Sequence, residues 1–276
     1  MRKIKITLFL LVGLLVTLTV QAQDPEFTQF YAAPIYTNPA MAGTGTCGGG
    51  GRVVLNYRNQ WPNVNEVSSN YVTYSAGYDQ NIDAFSGGVG LHLMTDRAGE
   101  NGVLRHTRVA GMYSYHLPVN RKFSMRFGLE AAYYQKTLDW EQLTFGDMID
   151  ERYGFIYPTN ETPNIDNVQN VDFSAGWLGY TKNFYGGFAV HHLLEPEERF
   201  LITQQTILPR KFTAHAGWVI PINKRYPKEG SISPNILYQA QGNVSQFNPN
   251  ARQLFLGLYA RKGPFVGGIW YRNRDA

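Results

Sequence analysis

The sequence predicts an all-β fold, an antiparallel up-and-down transmembrane β-barrel, and three observations carry that prediction. Alternating segments bounded by Gly, Pro, Asn and Asp recur along the chain, and no sustained helical period follows the N-terminus. The composition pairs 14% aromatic residues with only 17% charged ones, which suits strands that face lipid on one side and place Tyr and Trp at the interfaces. Connections alternate between long and short, as they do where tight turns lie at one membrane face and long loops at the other. A length of 276 residues fits one large β domain.

The first element is an export signal. Arg2, Lys3 and Lys5 precede the apolar run Ile6 to Leu18, and Val20-Gln21-Ala22 is a small-x-small cleavage site. The run is short for a bilayer span. Residues 1–22 are therefore expected to be removed, which marks a Sec-exported protein of a Gram-negative outer membrane. Losing three basic residues takes the 25 Lys and Arg to 22, against 21 acids. The mature chain is nearly neutral, so a pI of 9.0 gives no case for nucleic acid. Cys47 stands alone, which leaves no internal disulfide, and no cysteine follows the cleavage site as a lipoprotein anchor requires. Residues 23–51, rich in aromatics, prolines and glycines, form an extended periplasmic or plug-like segment, and residues 52–276 form the barrel.

Eleven alternating segments follow. They lie near Arg52–Arg58, Asn70–Asp79, Gly87–Thr95, Leu104–His116, Phe123–Leu138, Val171–Tyr180, Phe184–His192, Arg210–Ile220, Ser233–Gln241, Gln253–Arg261 and Phe265–Arg272. Soluble strands are usually about five or six residues long, whereas a tilted strand crossing a bilayer needs about nine to eleven. The segments are also two-sided. Phe123, Met125, Phe127, Leu129, Ala131 and Tyr133 share one face, against Ser124, Arg126, Gly128, Glu130 and Ala132 on the other. A soluble sandwich alternates too, so the connections decide. Gln80–Phe85, Pro118–Lys122, Thr181–Asn183 and Lys262–Pro264 are short; Asn59–Ser69, Asp139–Asn170, Leu193–Pro209 and Gly242–Arg252 are long; Pro221–Ile232 breaks the order. A mature N-terminus on the periplasmic side puts the long loops outside. Three short turns lead into Phe-x-Gly-Gly, at Phe85, Phe184 and Phe265, an interfacial ring beside a tightly curved strand start. Eleven is odd, and bacterial barrels have even counts, so a fragment lacking further strands is the expectation.

Chemistry of the catalytic sort is not legible. His191-His192 invites a metal, but neighbours on a strand point to opposite faces, so the pair reads as a polar strand end. No Ser, His and Asp spacing singles out a nucleophile with its base, and the chain is expected not to be an enzyme. Asp147, Asp150, Glu151 and Asp166 lack the spaced ligands and internal glycine of a calcium loop. The glycine run Gly48–Gly51 lacks the Lys-Ser/Thr of a phosphate loop. No metal, cofactor or nucleic-acid partner is expected.

One stretch is recognisable. Gln23–Gly43 reads QDPEFTQFYAAPIYTNPAMAG, with Phe30, Tyr31, Asn38 and Pro39 at its centre. Asn56-Tyr57-Arg58-Asn59-Gln60-Trp61-Pro62 follows, then Thr73-Tyr74, Tyr78-Asp79, Gly87-Gly88-Val89-Gly90-Leu91 and Asp96-Arg97-Ala98-Gly99. Gln135–Asp139 and Leu143-Thr144-Phe145-Gly146-Asp147 complete the set. In this order they resemble the PorP/SprF family of outer-membrane proteins linked to type IX secretion, most specifically up to Ile165. The resemblance implies a barrel of about fourteen strands when complete, seated in outer-membrane lipid. It implies work with the type IX machinery in secreting partners, or in holding them at the cell surface, adhesins for gliding motility among them. External loops are the expected docking platform, chiefly Asp139–Asn170 and Leu193–Pro209, with Phe145, Tyr153, Phe155, Ile156 and Tyr157 as interface anchors. Those rings have a second reading, folded back into the lumen or set in the aromatic girdle. The same fold also serves a porin-like diffusion channel for small solutes; an open polar lumen distinguishes that role from a plugged dock.

Overall fold

The computed structural model describes residues 24–25, 27, 32–45, 50–60, 71–99, 102–150, 152–160, 165–198, 200, 207–223, 230–242 and 252–273. The export signal, Cys47, Phe30, Tyr31, Trp61 and Pro62 lie outside these residues.

Alternation becomes strand at each segment the sequence marks. The long strands are β1 (Arg52–Gln60), β2 (Tyr71–Ile82), β3 (Gly87–Ala98), β4 (Leu104–Pro118) and β5 (Ser124–Leu138). A two-residue pair, β6 (Ile149–Asp150) and β7 (Gly154–Phe155), sits apart in the next loop. Then come β8 (Asn167–Tyr180), β9 (Phe184–His191), β10 (Lys211–Trp218), the short β11 (Ile220–Pro221), β12 (Gly230–Gln241), β13 (Arg252–Lys262) and β14 (Phe265–Arg272). Eleven strands run in one antiparallel sheet in chain order, with β11 pairing β12 beside that path. The sheet is open: its outermost strands, β1 and β14, do not pair with each other.

The faces are inverted relative to a soluble domain. Leu55, Leu129 and Ile269 are 75%, 66% and 73% exposed on the outside, whereas Arg126, Glu130 and Asp172 are 5%, 3% and 2% exposed within. In β5 the exposed Phe127, Leu129 and Tyr133 alternate with the buried Arg126, Glu130 and Tyr134. In water that outer surface would have no counterpart; in hydrocarbon it is satisfied, and the paired strands leave few backbone groups bare. The inner face is curved, since side chains from β3, β4, β5, β9 and β10 line one small cavity.

One end of the sheet carries the connections 61–70, 99–103, 139–166, 192–210 and 242–251; we call it the loop mouth. The turn end carries 83–86, 119–123, 181–183 and 263–264. The exception at Pro221–Ile232 shrinks. Val219 interrupts the ladder, after which Ile220 pairs Ile232 and Pro221 pairs Ser231, so the turn is residues 222–229. Two strands also begin earlier than alternation indicates, β8 at Asn167, where the outward Asn167 and Gln169 are polar, and β12 at Gly230, where the inward Ser231 and Ser233 are polar; the ladders continue through both.

The main buried apolar cluster lies inside the curve. Ile35 and Ala42 from the N-terminal segment meet Ala110 and Met112 of β4 and Ala132 of β5. That segment is not extended where it is described: α1 (Pro34–Thr37) is one helical turn, and Pro39–Met41 is a 3-10 turn capped by the Asn38 side chain.

Candidate functional site

Asn38 is fully buried. Its Nδ2 lies 3.1 Å from the Trp177 carbonyl of β8, 3.4 Å from the Phe188 carbonyl of β9 and 3.0 Å from Nε2 of His215 on β10. Its Oδ1 accepts from the Ala40 backbone N–H at 2.9 Å. One amide thus caps its own turn and spans three strands. The next residues offer their backbone to others. The Ala40 carbonyl accepts from Ser114 Oγ at 3.0 Å, the Ala42 carbonyl from Arg126 Nη1 at 3.0 Å, and Gly43 N–H donates to Asp79 Oδ2 at 2.8 Å.

Such close seating requires strand positions without side chains. A Cβ on Gly176 would overlap Asn38 Oδ1; on Gly128 it would overlap the Ala40 nitrogen; on Gly88 it would overlap the Ala42 carbonyl. These glycines of β8, β5 and β3 make a floor on which Asn38–Gly43 rests. Pro39 sets φ at the start of the 3-10 turn and is buried with it.

Nearer the loop mouth the segment is held by charge. Asp24 Oδ2 lies 2.7 Å from His192 Nε2 and 3.9 Å from Lys211 Nζ; His192 Nδ1 lies 2.7 Å from Asp172 Oδ2. Asp172, His192 and Lys211 are buried, and the Asp24 side chain is nearly so, at 11% exposure. Lys136–Glu198 and Arg108–Glu130 lie in the same interior, and Glu130 also accepts from Ser174 Oγ at 2.7 Å. Tyr36 donates to the Pro25 carbonyl at 2.6 Å and meets Phe27 edge-on at 5.2 Å.

The histidine pair corrects the sequence reading. Both His191 and His192 are 7% exposed, and neither forms a polar strand rim. His192 follows the end of β9 with φ of +58°, so strand alternation stops and both rings turn inward. His191 Nε2 lies 3.3 Å from the Thr37 carbonyl. No metal-holding cluster of His, Cys, Asp and Glu occurs among the described residues.

The outer loop 139–166 has its own order. Asp150 accepts from the Arg152 and Tyr153 backbone N–H groups and from Tyr157 Oη; Asp147 accepts from Thr159 Oγ1 and the Asn160 N–H. These contacts hold both carboxyls below the ordinary carboxylate range, chiefly through the Arg152 backbone amide for Asp150 and the Asn160 backbone amide for Asp147. The acids therefore cap turns. Tyr153, Phe155, Ile156 and Tyr157 are exposed, while Phe145 is half-buried and stacks on Trp140 at 6.2 Å. The exposed four do not fold into the lumen.

The motif residues do not gather in one place. Asn38 and Pro39 sit in the lumen. Tyr57 faces outward beside Tyr74, at 5.2 Å, whereas the half-buried Arg58 faces inward. Asp96 accepts from Thr73 Oγ1 at 2.6 Å, and Gly99, at φ +85°, opens the turn to Gly102. Phe145, Gly146 and Asp147 belong to the outer loop. Sequence reasoning missed Asp172 and Lys211, whose one signal was charge at inward strand positions; it quoted Asp24 only as a motif residue and read His192 as a strand end.

No curated protein matches the sequence. Among solved structures the chain is similar to the crystal structure of BamA from Haemophilus ducreyi lacking POTRA domains 1-3, at 8% identity and a TM-score of 0.37. That alignment covers 81% of this chain and 57% of the other. The family model described as type IX secretion system membrane protein PorP/SprF matches residues 19–276. With its inverted strands and that match over nearly its whole length, the chain belongs to the PorP/SprF family of type IX secretion system membrane proteins.

Proposed function

We propose that this chain is a non-enzymatic outer-membrane barrel that assists type IX secretion by docking a secreted, adhesin-like partner at the cell surface. The observation that supports docking over diffusion is the occupied interior. Asn38–Gly43 hydrogen-bonds to strands from β2 to β10, across the space a solute would use. The complementary surface is the loop 139–166, which presents Tyr153, Phe155, Ile156 and Tyr157 on the β6–β7 pair, braced by Asp147 and Asp150. Exposed aromatics on a locally ordered support have the chemistry of interface anchors.

The test is a pull-down from native outer membranes with partners identified by mass spectrometry. One large exported protein should be recovered, and it should be lost when residues 140–165 are replaced by a short Gly-Ser turn. That deletion spares β8, which begins at Asn167. Recovery of the barrel alone, with steady conductance in planar bilayers, would favour a solute channel instead.

A further inference from the structure

The N-terminal segment has a direction across the lumen. Asp24 meets His192, just past the loop-mouth end of β9, and Lys211, the first residue of β10. Gly43, nineteen positions later, meets Asp79 and packs on Gly88 close to the turn end, with Arg126 bridging the Ala42 carbonyl to Asn81. Arg52 then opens β1 at that same end, paired with Asp79. Residues 24–25, 27 and 32–43 are therefore spread from the loop mouth to the turn end ahead of β1, which puts the N-terminal side at the loop mouth and not at the periplasmic end that the sequence suggests.

The two ends are held differently. At the turn end the hold is distributed: Ser114, Arg126 and Asp79 side chains each bond a backbone group of the segment over the glycine floor. At the loop mouth the hold centres on one carboxylate. Asp24 is nearly buried, so it needs its counter-charges to stay there. His192 keeps Asp172 as a second partner if Asp24 leaves.

We propose that the described residues 24–25, 27 and 32–43 act as a strap in the lumen, with its N-terminal side at the extracellular mouth and the Asp24–His192–Asp172 contact as the catch that keeps the conduit closed. The strap has a fixed half, Asn38–Gly43, and a releasable end that carries Asp24 and Phe27. Opening starts at the catch, on the side where a docked partner would pull. This inference rests on the outer-membrane reading above, but not on the identity of any partner.

Two readouts test it, using protein from native outer membranes. In planar bilayers the wild type should stay closed with rare openings, and Asp24→Asn should raise the opening frequency at least tenfold. Glu195→Gln, which weakens only the exposed Arg210–Glu195 pair, should match the wild type. An epitope tag between Ala22 and Gln23 should bind antibody on intact cells. A steadily conducting wild type, an Asp24→Asn protein as closed as the wild type, or a tag reached only after permeabilisation overturns the strap. If Asp24→Asn does not assemble, the tag on the otherwise wild-type chain decides. Partner recovery is scored separately: gating without a partner removes only the docking role, and a recovered partner with a silent catch removes only the strap.

Discussion

Asn38 is the residue on which the most strands converge. Its amide reaches two carbonyls and a histidine ring from three strands, and it caps the turn that follows. Replacing it with Ala strands buried carbonyls, an effect of about 1–3 kcal/mol. Asn38→Ala should therefore lower the temperature at which the barrel changes its migration on a semi-native gel, while β-sheet content below that temperature stays the same. Gly128→Val makes the complementary test. An added side chain meets the Ala40 backbone, and overpacking of this kind costs about 1–3 kcal/mol. A cysteine placed at Met41 in a Cys47→Ser background should become reactive to maleimide in that variant and stay protected without it. The Asn-Pro pair was legible in the sequence as a motif but not as a lumen contact, because its partners lie 139 to 177 positions away. His192 was misread because alternation assumes strand geometry, and a left-handed residue ends it.

At the scale of elements, the eleven strands were legible because a bilayer imposes two constraints at once. The outside must be apolar, and each crossing must be long. Positions were less certain where the apolar-outside pattern lapses, as at the polar outward Asn167 and Gln169 of β8 and at Pro234 of β12. The Phe-x-Gly-Gly turns hold in the structure: Phe85, Phe184 and Phe265 are exposed beside the first residues of β3, β9 and β14. The outer loop was legible as exposed and aromatic, but its internal bracing was not. That bracing has a pH signature. Asp147 and Asp150 have folded values depressed below their unfolded ones, so their stabilisation is present above the ordinary carboxylate pKa and is lost as pH falls through the folded values. Hydrogen exchange of amides 147–160, corrected for intrinsic rates, should be flat from neutral pH down to the ordinary carboxylate range and quicken only below it. Asp150→Asn should show faster exchange already at neutral pH.

The described residues form an open sheet wrapped round residues 24–25, 27 and 32–43. Among them the outermost strands, β1 and β14, do not pair with each other, and each orphan backbone group in hydrocarbon costs several kcal/mol. The isolated chain of residues 1–276, refolded into lipid without other membrane components, should therefore fail to insert stably; heat-modifiable migration of that preparation would refute this. Inside-out patterning made the membrane environment legible from sequence, whereas the closed interior was legible only as one reading of residues 23–51, since its contacts join opposite ends of the chain. The seated peptide also has a consequence in time. Asn38 is synthesised early, yet the strands that satisfy its amide are β8, β9 and β10, made more than a hundred residues later. Contacts of such separation form slowly. The seat of that peptide is therefore complete only once β10 has been made, as a sleeve grips its core only when rolled to the end.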